Sequence, residues 1–247
     1  MRTAIITPYF KEPLEVLERC HASVQAQTSP ADHFMVADGF PHSEIDAWEN
    51  VQHIKLPSCH DDFGDTPTVI GALSAIGQVY DAIGFLGADN WLYPNHIETM
   101  LEAQAKAAVP IVVARRDYYR PDGTRIEKLD GFEEPNHVDG NCLFLTGDAL
   151  RWVHLLCMRP KPLAEIDDRI FWKALQAREL RYIKVLIPTV AYEMKWKSVY
   201  ELIGETPCEG AKPNVGDKAT VWARSITQVE KDSWSRYLFG YYGGLDI

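Results

Sequence analysis

The 247-residue chain has no long hydrophobic run. No stretch approaches the roughly 20 consecutive apolar residues that a membrane-spanning helix needs. The opening "MRTAIITPYFKEP" has too short an apolar run for a signal peptide and reads as a first strand. Cysteine is sparse: five residues, at 20, 59, 142, 157 and 208. The count is odd and no pair has CxxC spacing, which excludes a disulfide framework or a structural zinc and points to reduced thiols in the cytoplasm. Positive charge is in deficit, with a formal net charge of -10. That argues against a general binder of nucleic acid or anionic membranes. Internal repeats and low-complexity linkers are absent.

What is present describes an ordinary globular protein, 46% hydrophobic and 24% charged. The length suits one large α/β domain with appendages and a core that needs no staples. The first part alternates strand and helix. Strands are expected at "TAIIT", "HFMVADG", "VQHIKLP", "AIGFLGAD" and "PIVVARR". Helices are expected at "EPLEVLERCHASVQAQ", "DTPTVIGALSAIGQVYDA" and "PNHIETMLEAQAKAA". In the first helix Leu14, Leu17, His21 and Val24 follow one face, and in the second Pro67 falls near the first turn, where a missing N–H costs little. Such alternation implies a mostly parallel sheet, with ligands beyond the carboxyl ends of its strands.

After residue 115 the pattern changes, so the chain divides into an alternating α/β half over 1–115 and a second half of the same domain over 116–247. "RRDYYRPDGTRIEKL" reads as a hairpin around Asp122-Gly123 and "HVDGNCLFLTG" as a strand. Asp148–Cys157 is expected to be a short helix and "LAEIDDRIFWKALQAREL" a longer one. "RYIKVLIPTVAYEMK" is strand-like and "WKSVYELIGE" helical. The C-terminal aromatics, Trp222 to Tyr242, have no clear pattern.

The parallel-sheet rule gathers three places at one edge: Thr7-Pro8-Tyr9, Asp38-Gly39 and Asp89-Asn90. Each has an ordinary explanation in turn or cap chemistry. At a sheet edge Asp89, with an oxygen from Asn90, also suits a hard divalent cation shared with a substrate phosphate. Asp38 suits a nucleobase N–H or a ribose hydroxyl. In "HDDFGD", His60 to Asp65, a solvated turn is favoured for His60, and Asp62 is equally a cleft residue. Asp139 stands beside an apolar strand and needs a partner if buried. Asp167 and Asp168 open a helix, whose dipole keeps a carboxylate ionised, as a general base requires.

Taken in order, these segments resemble the family 2 inverting glycosyltransferases of GT-A fold, over roughly residues 1 to 195. The resemblance rests on "TAIITPYFKEPLEVLERCHASVQAQT", "MVADGF", "AIGFLGADNWLYPNHIETM" and "AEIDDRIFWKALQ". It departs at Gly87 and Ala37, where the family carries the first Asp of each pair. It implies a Rossmann-like sheet flanked by helices and a hexosyl-type transfer from a nucleotide-diphosphate sugar, a UDP-sugar, to an acceptor hydroxyl. Thr7, Pro8, Tyr9, Asp38, Asp62, Ala88 and Asn90 would line the donor, Asp139 its sugar side, and Asp89 would hold Mn²⁺ or Mg²⁺. Aligning through the Arg and Phe-Trp of "DDRIFW" makes Asp167 the base, the preferred choice; aligning on the family's acidic pair makes it Asp168. The rivals are a sugar nucleotidyltransferase and an inactive relative that only binds. "TPYFKEP" lacks the Gly-rich basic loop that the first rival would need.

Overall fold

A computed structural model describes residues 1–132, 137–213 and 217–245. The first half follows the expected alternation. It runs β1 (Thr3–Tyr9), α1 (Leu14–Gln25), β2 (Asp32–Ala37), β3 (Val51–Lys55), α2 (Asp65–Gly77), β4 (Ala82–Phe85), β5 (Trp91–Leu92), α3 (His96–Ala107) and β6 (Ile111–Tyr119). The second half holds β7 (Leu143–Thr146), α4 (Asp167–Gln176), β8 (Tyr182–Glu193), α5 (Lys197–Leu202), α6 (Asp217–Ser225) and α7 (Gln228–Phe239).

One eight-stranded sheet runs through both halves in the order β3-β2-β1-β4-β7-β6-β8-β5. β1 pairs in parallel with β2 and β4, and β2 with β3. β7 then lies antiparallel between β4 and β6, while β6 and β8 are parallel. The apolar runs of β1, β2 and β4 are buried because helices cover both faces. α1 turns Leu17, Cys20, His21 and Val24 inward. α2 approaches β1 and β2 so closely that a Cβ on Gly71 would lie 2.7 Å from Ile6 Cγ2 and 2.8 Å from Val36 Cγ2.

The second half departs from expectation in several places. The hairpin reduces to one antiparallel bridge, Tyr119 with Arg125, because β6 continues to Tyr119 and pairs with β8 instead. Only Leu143–Thr146 of "HVDGNCLFLTG" is a strand; before it Asp139 accepts a hydrogen bond from the Asn141 N–H and caps a 3-10 turn. The Asp148–Cys157 helix is a 3-10 segment over Gly147–Leu156. The helix expected from Leu163 begins only at Asp167, after a 3-10 turn that buries Leu163, Ala164 and Ile166. That delay puts both acids in the first turn of α4. The C-terminal segment forms α6 and α7, and Leu238 and Phe239 are buried in the main core. Among the described residues no helix is long and apolar enough to cross a membrane.

Candidate active site

A cleft of about 720 Å³ opens beyond the carboxyl ends of β1, β2 and β4. Its wall contains Pro8, Tyr9, Asp38, Asp62, Ala88, Asp89, Asn90, Asp139, Asp167 and Asp168. Residues up to 160 positions apart in sequence thus meet at one edge of the sheet.

Thr7 is the exception. It is fully buried, its hydroxyl hydrogen-bonded to His33 Nε2 at 2.8 Å, and it lies outside the cleft wall. Alternation along β1 turns it inward, so the nucleoside contact expected of its side chain is withdrawn. Tyr9 reaches the cleft, but its hydroxyl lies 2.6 Å from His53 Nε2 and accepts from the His42 N–H at 3.1 Å. Burial pushes that phenol up to about 12, so it stays neutral.

Asp38 is buried and holds the loop of His60. Its Oδ1 lies 2.6 Å from the His60 ring Nδ1, and the His60 N–H points between both oxygens. His60 is therefore a partner of the site rather than a solvated turn residue. The turn is tight: Gly39 has φ +84°, and a Cβ there would stand 2.6 Å from the Cys59 nitrogen. Asp62 is equally buried. Its Oδ2 accepts from the Thr66 N–H at 3.1 Å and caps the start of α2, while its Oδ1 is buried without a hydrogen-bond partner. An unpaired buried carboxylate oxygen costs free energy, and a ligand donor in the cleft would relieve it.

The acids of α4 differ. Asp167 makes a side-chain hydrogen bond to Asp65, whose other partner is the buried Arg159. Burial, then the neighbouring Asp168 charge, pushes Asp167 up to about 6. Burial, then Asp167, raises Asp65 well above the carboxylate range. Asp168 instead pairs with His137 Nε2 and accepts from the Arg169 N–H at 2.7 Å. Its side chain keeps 21% exposure, so it stays reachable.

Asp139 pairs with Arg116, which also lies over the rings of Tyr118 and Tyr192. Burial works to raise Asp139, but Arg116, the Asn141 hydrogen bonds and His137 together outweigh it and the net shift is downward. The far end of the cleft is apolar, with Phe132, Met194, Trp196, Val199 and Leu202.

The fold recurs in solved structures. The chain has the GT-A-like fold of TarS. It is similar to the crystal structure of S. aureus TarS 1-349 in complex with UDP, at 13% identity and a TM-score of 0.62, over 96% of this chain and 73% of that one. A second structure of TarS 1-349 matches at 12% identity and a TM-score of 0.61, with the same coverage. A longer TarS structure matches at 12% identity and 0.59, over 94% of this chain but 45% of that one. No family model matches the chain, and no curated protein does.

Asp89 is the residue that the cation was expected to use, and the donors around it fit a metal poorly. Its Oδ2 lies 3.2 Å from Lys195 Nζ, and that ammonium is also 2.8 Å from Glu193 Oε1. Arg19 bonds the Asp89 carbonyl at 2.7 Å and Glu193 Oε2 at 2.8 Å. The oxygen expected from Asn90 is taken by the Glu193 N–H at 2.8 Å. A Cβ on Gly87 would lie 2.8 Å from Asn90 Nδ2 and 3.4 Å from Asn141 Oδ1, so neutral amides fill the place of a further acid. Among the described residues no cluster of three or more His, Cys, Asp or Glu is placed to hold a metal ion.

The sequence reading missed Lys195, Glu193, Arg19, Asn141, His137 and the Asp65–Arg159 pair. Only Asp65, as a helix-start acid, had a local signal. Glu193 and Lys195 come with β8, His137 and Asn141 with the loop before β7, and Arg159 just after the 3-10 segment that follows β7, so their meeting depends on the tertiary fold.

Proposed function

We propose that the chain is an inverting glycosyltransferase that moves a sugar from a UDP-sugar donor to an acceptor hydroxyl. The observation that carries the reading is the convergence of Asp38, Asp62, Asp89 and the Asp167-Asp168 pair on one cleft at the carboxyl ends of parallel strands. The UDP complex of a protein of similar fold supports the choice of donor.

In this reading the uridine lies against Pro8, Tyr9, Asp38 and Asp62. The buried Asp62 Oδ1 accepts a hydrogen bond from the base or ribose. The diphosphate lies by Ala88 and Asp89, and Asp139 and Asn141 line the sugar side. The acceptor enters over the apolar end around Trp196.

Asp168 is the better base on geometry, which reverses the preference for Asp167. Both acids are half-buried on the cleft, but Asp167 is tied to Asp65 at the start of α2, whereas Asp168 is oriented by His137. As the acceptor hydroxyl passes its proton to Asp168, its oxygen bonds to the anomeric carbon. The bond from that carbon to the phosphate oxygen breaks on the opposite face, and UDP leaves with the electron pair. General-base help of this kind is worth ~10²–10⁴-fold.

The test is release of UDP from a panel of UDP-hexoses, with water or added sugars as acceptors. Wild type should release UDP, and Asp168→Asn should release at least ~10²-fold less. UDP binding with no turnover would favour an inactive binding relative.

A further inference from the structure

Resting on the proposed UDP-sugar reading, we propose that the Lys195 ammonium takes the place of a divalent cation at Asp89, so that nucleotide-diphosphate binding proceeds without metal.

The argument begins with charge. Asp89 and Glu193 are the acids at this strand end, and a divalent cation would have to be shared between them and the donor phosphates. Lys195 already bridges them, at 3.2 Å from Asp89 Oδ2 and 2.8 Å from Glu193 Oε1. Arg19 holds the other Glu193 oxygen at 2.8 Å. Asp89 and Glu193 are thus already balanced by Lys195 and Arg19, which weakens their pull on a metal.

Sterics point the same way. At Gly87, two residues before Asp89, where a second acid would stand, a Cβ would lie 2.8 Å from Asn90 Nδ2 and 3.4 Å from Asn141 Oδ1. Those amides are fixed in turn: Asn141 Nδ2 donates to Asp139 Oδ1 at 2.6 Å, and the Glu193 N–H donates to Asn90 Oδ1 at 2.8 Å. A single-charge cation on a flexible stem also suits a leaving diphosphate. The Lys195 side chain is 30% exposed and can shift toward phosphate without leaving a buried charge unpaired.

Calorimetric titration of UDP into wild type and Lys195→Met, each in EDTA and in Mn²⁺, tests this. Wild type should bind UDP with the same affinity in both buffers. Lys195→Met should lose at least ~10-fold in EDTA and recover in Mn²⁺, because Asp89 and Glu193 then lack a cation. Lys195→Arg should keep metal-free binding. Wild-type binding that requires Mn²⁺, or Lys195→Met binding as tightly as wild type in EDTA, overturns the lysine's role and leaves the transferase reading standing. A wild type that binds no nucleoside diphosphate in either buffer overturns both.

Discussion

Asp65 and Asp167 meet carboxyl to carboxyl where α2 and α4 begin, with Arg159 buried against Asp65. Arg159 can balance one of these acids, and the second must keep a proton or stand as surplus buried charge. The upward shift of Asp167, to about 6, lies above the value in an unfolded chain. The native state therefore holds a proton that the unfolded state has lost, and the resulting stability is present at low pH and disappears as pH rises from about 4 through 6. Asp167→Asn should melt at higher temperature than wild type above that window and show a smaller advantage below it. Thermal melts across pH 4 to 8 check this, and a gap that widens toward low pH would contradict it.

Asp168 and His137 should behave as a unit distinct from that pair. Asp168→Asn should cut turnover by at least ~10²-fold with UDP affinity kept, because a base acts in the transition state and not in donor binding. Asp167→Asn should cost far less. Steady-state release of UDP from a UDP-hexose, with calorimetry for affinity, separates the two. If Asp167→Asn is the inactive variant, the base lies one residue earlier.

The nucleoside prediction turns on Asp62. One of its oxygens caps α2 and the other is buried and unpaired. Asp62→Ala should lose about 1 kcal/mol of stability from the cap. It should also narrow any preference for UDP over CDP, since a site built around a hydrogen bond rejects the analogue that lacks it. Asp38→Ala should narrow it less, because both Asp38 oxygens already face His60. Titrations of UDP and CDP into both variants measure the difference; unchanged selectivity in Asp62→Ala would remove Asp62 from the base, and unchanged affinity for both nucleotides as well would remove it from the nucleoside site.

Gly71 sets the spacing of α2 on the sheet. Gly71→Ala would gain helix propensity but push a methyl to within 2.8 Å of Ile6 and Val36. Overpacking of this kind costs typically 1–3 kcal/mol, more than the roughly 1 kcal/mol that Ala gains in a helix. Chemical denaturation should show net destabilisation with the same fold.

The first half of the fold was legible because its elements are local. β1, β2 and β4 are short β-branched or apolar runs, and α1 and α3 carry their own periodicity. The edge residues Asp38 and Asp89 followed from the parallel-sheet rule, whereas Asp62 was left even between a turn and the cleft. Thr7 did not, since which face of β1 meets the cleft depends on packing against α1 and His33. The late start of α4 was hidden because Leu163 and Ile166 continue a helical pattern while packing as a 3-10 turn. Lys195 was hidden for a different reason. It reaches Asp89 across 106 residues, and nothing in "YEMKW" announces the contact.

The measurement that bears most directly on the whole account is calorimetric titration of UDP, CDP and GDP into the wild-type chain. The account predicts that UDP binds, that CDP and GDP bind more weakly, and that Asp168→Asn binds UDP as wild type does while releasing at least ~10²-fold less from a UDP-hexose. Failure of all three nucleotides to bind, with and without Mn²⁺, would contradict it.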